Sequence, residues 1–396
     1  MILASVCRRP VLGLLICLGL SGCLSSAPAK PTEAVTYSQP VQREDGWPVA
    51  AAGTVGFDEA KLAALTQAIQ DGTFVNTHIV LVAKSGHLVY EAYFEGRDER
   101  WGDSIGHVVF DHQTLHDLRS VSKSVTSALL GIALEGDYET ALDKPLTAYF
   151  PDLKHRFGPD LGQVTLHHAL TMTAGLKWNE MTVPYTDRNN DEIQLYYTED
   201  PVGMVLSRPL QDPPGSTWYY NGGLTQVLAG LIERKTGMPL DRFAEETLFG
   251  PLGITDYEWL GSNLWPAGSS PSAASGLRLT ARDLAKIGSL FLHQGRWQNR
   301  QVIPAEWVTL SLKRYVQDIP WGPPGVYGYG FMWYPGHTKG KDGFPVIRAS
   351  GNGDQKIFIL PKQEIVVTVY AGLYNYQGRW GSESILKQIL AAFKGP

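Results

Sequence analysis

Cysteine is nearly absent from this 396-residue chain: Cys7, Cys17 and Cys23 are its only thiols, and all three stand at the N-terminal end. Everything after Cys23 folds without a disulfide and offers no cysteine nucleophile or thiolate metal ligand. A domain of this size manages that, because its core is large enough to need no covalent staple. Charge is sparse too, at 18% of residues, with a formal net charge of −5 and no block of like charges. Such a surface has no basic footprint for a phosphate backbone, so no nucleic acid partner is expected. Glycine (42 residues) and proline (25) stay below the share typical of low-complexity chains, which leaves a globular fold as the expectation. The zinc motif H-E-x-x-H and the phosphate-binding G-x-x-x-x-G-K-[ST] are missing, and no metal or cofactor is expected.

The most hydrophobic stretch is too short to cross a bilayer and has another use. Arg8 and Arg9 precede the apolar run 11–20, the charged and hydrophobic parts of a secretory signal. Leu20-Ser21-Gly22-Cys23 follows and resembles the bacterial lipobox, whose cysteine thiol takes a diacylglycerol before cleavage ahead of it. The expectation is a signal peptide over 1–22, lipid on Cys23, and a flexible tether over 23–47. The mature protein is then expected as an exported bacterial lipoprotein, held to the membrane by its lipid and facing the periplasm.

A single folded domain is expected over 48–396. Leu62, Leu65 and Ile69 recur at helical spacing within 58–70, and two strand-like runs, 79–83 and 88–94, flank the turn Lys84-Ser85-Gly86-His87. From about 118 to 260 the pattern is mainly helical, with a polar loop over 179–200. Strand signals return at 330–334, 356–360 and 365–370, and a helix is expected over 382–393. Strands at both ends with helices between imply one sheet closed by distant segments.

Ser120-Val121-Ser122-Lys123 opens an apolar helical run through Val125, Leu129, Leu130 and Ile132. Serine and lysine three residues apart share one helix face, so the amine can reach the hydroxyl. A serine hydroxyl needs an adjacent base, and a lysine serves as one when burial and a helix N-terminus disfavour its charge. Ser384 and Lys387 repeat the spacing in the last helix without a partner motif and are read as solvated surface. His167 and His168 lack a zinc-ligand spacing partner and are read as structural.

Downstream, the turn Pro213-Pro214-Gly215 feeds Trp218-Tyr219-Tyr220-Asn221-Gly222 and a helix, and Ala349-Ser350-Gly351-Asn352 comes later still. In this order the motifs resemble the β-lactamase-related serine hydrolases, which include class C β-lactamases, penicillin-binding proteins, carboxylesterases, D-aminopeptidases and nylon-oligomer (6-aminohexanoate-dimer) hydrolases. Segments 164–176 and 276–284 fit the same group, so the resemblance runs from about 46 to 393. It implies a β-lactamase/transpeptidase-like α+β fold with α/β/α layering: an antiparallel sheet flanked by helices, plus a mainly helical subdomain over about 118–260.

The resemblance also implies roles. Ser120 would be the nucleophile, Lys123 its activator, and a tyrosine after the proline-glycine turn the third member. Counted from that turn the tyrosine is Tyr220, the preferred choice; the literal Y-x-N match is Tyr219 with Asn221. The backbone N–H groups of Ser120 and Asn352 would form the oxyanion hole, and Gly351 would let the backbone approach the substrate closely. Ala349 departs from the pattern, because the group carries lysine or histidine there to grip a substrate carboxylate. Arg348 is expected on the opposite strand face, and Lys356 would substitute only if the strand curled back. The expected activity is therefore cleavage of a small ester or amide through an acyl-enzyme on Ser120, without a cofactor. Two alternatives stand beside it: a D-amino-acid peptidase or weak β-lactamase on cell-wall peptides, and a non-catalytic penicillin-binding sensor or wall-binding lipoprotein.

Overall fold

Asp58 starts the first helix, α1 (Glu59–Gln70), by accepting hydrogen bonds from the backbone N–H groups of Ala60 and Lys61. Leu62, Leu65 and Ile69 all face inward from it, as their spacing requires. The computed structural model describes residues 35–339, 343–376, 378 and 380–395. The signal, lipobox and Cys23 expectations lie outside the described residues. Among the described residues no helix is long and apolar enough to cross a membrane.

After α1 come the hairpin β1 (Thr77–Lys84) and β2 (His87–Tyr93), a second hairpin β3 (Glu95–Arg100) and β4 (Asp103–Val109), and the short β5 (His116–Asp117). A helical region follows: α2 (Val121–Leu134), α3 (Tyr138–Asp143), α4 (Leu166–Leu170), α5 (Asp191–Leu195), α6 (Pro201–Leu206), α7 (Gly222–Thr236), α8 (Leu240–Ala244) and the single turn α9 (Gly250–Leu252). The chain returns through β6 (Glu258–Trp259), β7 (Leu277–Leu279), α10 (Ala281–Leu292), β8 (Arg296–Trp297), β9 (Arg300–Gln301) and α11 (Ala305–Leu312). It ends with β10 (Tyr334–His337), β11 (Pro345–Gly351), β12 (Gln355–Leu360), β13 (Ile365–Ala371) and α12 (Ser382–Ala392).

Six of these strands form one antiparallel sheet in the order β10-β11-β12-β13-β1-β2, so the first and last strands of the domain lie side by side. Every residue of β1 is buried, because both sheet faces are covered. Val80 and Val82 pack with Leu62, Leu65, Ile385 and Ile389 of α1 and α12. Ile79, Leu81 and Ala83 point the other way, into the core shared with α2 and α10. The layering is helix, sheet, helix, and the fold is the β-lactamase/transpeptidase-like α+β type. Gly288 sets the spacing of α10: a Cβ there would stand 2.6 Å from Val366 and 2.8 Å from Ile357.

Two local readings differ from the structure. The strand expected at 330–334 begins only at Tyr334, because Met332 has a φ of +62° and Phe331 N–H bonds the Ser311 carbonyl in the last turn of α11. The hairpin β3–β4 was not anticipated, since its inward residues are Gly96 and Asp98 rather than apolar ones.

Candidate active site

The segment entering α2 is held on several sides. β5 pairs with β7, matching His116 to Leu279 and Asp117 to Arg278, and the Leu118 N–H bonds the Leu277 carbonyl at 2.9 Å. The Asp117 carboxylate lies between two guanidinium groups, Arg278 at 2.8 Å and Arg119 at 3.0 Å. His116 stacks on Tyr370 at 4.5 Å and meets the His78 ring nitrogen at 2.9 Å; burial pushes both imidazoles down to about 3, so both are neutral near pH 7. Arg119 takes a left-handed φ of +48°, a conformation costly for a side chain with a Cβ, directly before Ser120. Its guanidinium lies 4.6 Å from the Tyr374 ring centroid, which helps hold that turn.

Ser120 occupies the N-cap position of α2, and Lys123 lies one turn on, facing it. The Lys123 Nζ donates to Ser120 Oγ at 3.1 Å and to the Ala274 carbonyl at 3.1 Å. The same nitrogen stands 4.9 Å from the centre of the Tyr220 ring and 3.8 Å from Glu192 Oε2. Lys123 is buried. Three residues that the sequence singled out therefore meet: Ser120, Lys123 and Tyr220.

Tyr219 does not join them. Its hydroxyl donates to Asp212 at 2.7 Å on the outer side of the turn, whereas Tyr220 is buried against Trp218 and Trp321. Asn221 explains the register: its side chain caps α7 through the Leu224 N–H, so Tyr220 is the residue directly before the cap. Burial, then the nearby Glu180 and Tyr329, push the Tyr220 phenol well above its ordinary pKa, and Ser120 beside it pulls the other way. Tyr220 rests as a neutral phenol.

Two site residues were missed by sequence reasoning. Glu180 and Glu192 come from the stretch expected to be a polar loop, yet both are almost fully buried. Glu180 accepts from Trp178 Nε1 at 2.9 Å, the Tyr185 hydroxyl at 2.8 Å and the Gly222 N–H at 2.6 Å. Glu192 sits in the first turn of α5, which Asn190 caps, and accepts from the Tyr196 hydroxyl at 3.2 Å. Burial and the neighbouring Glu192 push Glu180 well above the carboxylate range; burial also raises Glu192, but the Lys123 ammonium together with hydrogen bonds from Glu180, Tyr196 and Ser275 outweighs it and holds Glu192 low. The available signal was Asn190-Asp191-Glu192, a capping residue followed by acids, which marks a short helix inside the loop.

Gly351 brings β11 against the nucleophile's own segment: a Cβ there would lie 2.3 Å from the Leu118 carbonyl oxygen. Asn352 follows at the strand end, where its side chain exchanges two 2.8 Å hydrogen bonds with Asn375. Neither the Ser120 N–H nor the Asn352 N–H donates to a loop or turn carbonyl among the described residues. Ala349 is fully buried and pairs with Ile357. Arg348 turns to the opposite face and binds Glu383 at 2.8 Å. Lys356 pairs directly across the sheet with Ser350 and donates to its hydroxyl, so it also stands on the face away from Ala349. No strand curling brings it round.

Aromatic rings line one side of the site. Trp321 lies 5.2 Å from both Trp218 and Tyr220 and 5.4 Å from Tyr334, and it is one of the large apolar side chains left exposed. His167 and His168 serve packing and capping: His168 completes a capping box with Thr165, and His167 meets Tyr315 edge-on at 4.7 Å. Ser384 and Lys387 are exposed on α12. A third serine motif, Gly102-Asp103-Ser104-Ile105-Gly106, has the literal G-x-S-x-G form, but Ser104 is exposed on β4 and not on the strand-to-helix turn that such a nucleophile needs.

Comparison with known proteins agrees with this fold. Esterase EstB from Burkholderia gladioli is 32% identical over 211 residues, about half of each chain (50% of this one, 52% of the relative). The penicillin binding protein from Bacillus halodurans shares the fold, with a TM-score of 0.62 at 19% identity, covering 83% of this chain and 100% of that one. The fold is also that of EstCE1, described as a hydrolase with promiscuous acyltransferase activity, with a TM-score of 0.63 at 18% identity over 85% of this chain and 98% of that one. The chain spans about half the length of the curated relatives it matches. The family model described as Beta-lactamase matches residues 63–379, and the chain belongs to the beta-lactamase family.

Proposed function

We propose that this protein is a serine hydrolase that cleaves an uncharged carboxylic ester or amide through an acyl-enzyme on Ser120. The observation that carries the reading is the 3.1 Å contact between Lys123 Nζ and Ser120 Oγ with the Tyr220 phenol alongside. Ser120 Oγ attacks the carbonyl carbon, and its proton passes to Lys123, with Tyr220 relaying a proton to the leaving oxygen or nitrogen. The developing oxyanion rests between the N–H groups of Ser120 and Asn352, where each donor is worth about 3 kcal/mol. Water then takes the leaving group's place, gives a proton back through the same residues, and releases the acid.

Substrate charge is argued from what surrounds the serine. The position that would grip a substrate carboxylate is the buried Ala349, and the nearby cations Arg348 and Lys356 are engaged on the other sheet face. The exposed Trp321 offers an apolar surface instead. This favours esters over cell-wall peptides and β-lactams, whose carboxylates would lack a partner. The test compares kcat/KM for short-chain nitrophenyl esters with that for nitrocefin on the purified protein. Esters are expected to be turned over far faster; nitrocefin hydrolysis equal to or above ester hydrolysis would contradict the reading.

A further inference from the structure

Two buried carboxyls face one buried amine at the back of the site. Lys123 Nζ is met by Ser120 from its own helix, by the Ala274 carbonyl from the loop before β7, by Glu192 from α5, and by the Tyr220 ring from the turn before α7. Tyr196, at the end of α5, also lies in its field, as does Glu180 behind Glu192. One cation thus serves two carboxyls. Two adjacent, almost fully buried carboxylates with one positive neighbour do not both ionise, so the pair carries one proton. The contacts divide it: Glu192 is the member that reaches Lys123, at 3.8 Å, while the three donors to Glu180 are uncharged groups. Glu192 Oε2 has no hydrogen-bond partner among the described residues, which fits a proton placed between the carboxyls.

We infer that Glu192 is a positioning residue for Lys123, its carboxylate holding the amine on Ser120 and setting the acid limb of the activity, while Glu180 carries the pair's proton. The inference rests on the acyl-enzyme reading above. Its sign is fixed by charge. Removing a negative neighbour disfavours a positive charge at the site, so the acid limb of kcat/KM moves down. Removing Glu180 deletes a neutral acid and leaves the charge beside Lys123 in place.

The experiment is the pH dependence of kcat/KM for a nitrophenyl ester in the full chain, comparing Glu192→Gln, Glu192→Asp and Glu180→Gln with wild type. Glu192→Gln should move the acid limb lower by about one unit or more, so that its activity relative to wild type climbs about tenfold on descending from the plateau through the limb. Glu192→Asp and Glu180→Gln should leave the limb where it is. A limb that stays put in Glu192→Gln, or that moves in Glu180→Gln instead, overturns the inference. Thermal melting and fluorophosphonate labelling of each variant at the plateau pH show whether it is folded and reactive. If wild type fails to label at Ser120, the acyl-enzyme reading itself fails; labelling with an unmoved limb sinks the role of Glu192 alone.

Discussion

Tyr219 and Tyr220 are adjacent in sequence and chemically identical, yet only one faces Ser120. What separates them is Asn221, whose side chain caps α7 and fixes which ring precedes the helix. Tyr220→Phe is therefore expected to lower kcat by about a hundredfold or more, the scale of a lost general acid or base. Tyr219→Phe, which only frees Asp212, should change kcat less than threefold. The reverse ranking in a steady-state ester assay would overturn the register. Ser120, Lys123 and Tyr220 were legible because each sits in a motif with its own local geometry. Glu180 and Glu192 were not, because polarity reads as exposure until partners are known. Their burial joins the local Trp178, Tyr185 and Tyr196 to Lys123 of α2 and Gly222 of α7, which come from distant parts of the chain.

At the scale of elements, apolar periodicity located α1, β1, β2, β12, β13 and α12. It failed where an element is held by something other than apolar side chains. The hairpin β3–β4 buries Asp98 and Gly96 instead of an apolar alternation. The stretch before β10 has apolar residues but turns at Met332. The close approach of β11 to the segment entering α2 is the contact on which the proposed oxyanion hole depends, and Gly351 makes it possible. Gly351→Ala puts a methyl within 2.3 Å of a backbone oxygen, so strand or nucleophile segment must move. The expected cost is about 1–3 kcal/mol of stability with a fall in kcat larger than the rise in KM, read by thermal melting and ester kinetics. Unchanged melting and kcat would show that the two segments are not coupled as described.

Over the whole molecule, the site is assembled from segments that are far apart in sequence. The serine and lysine come from the start of α2, the tyrosine from the turn before α7, and the strand edge from β11, beside a sheet that the chain closes only when β13 pairs with β1. The order of the motifs made that assembly readable, since each one resembled the family in turn, while the sheet pairing itself followed from strands recurring at both ends. The chain carries three serines in motifs associated with nucleophiles, Ser120 inside this assembly and Ser104 and Ser384 outside it. The most direct test is peptide mapping by mass spectrometry after reaction with a fluorophosphonate probe. The account predicts one adduct, on Ser120, abolished in Ser120→Ala; an adduct on Ser104, or full labelling of Ser120→Ala, would contradict it.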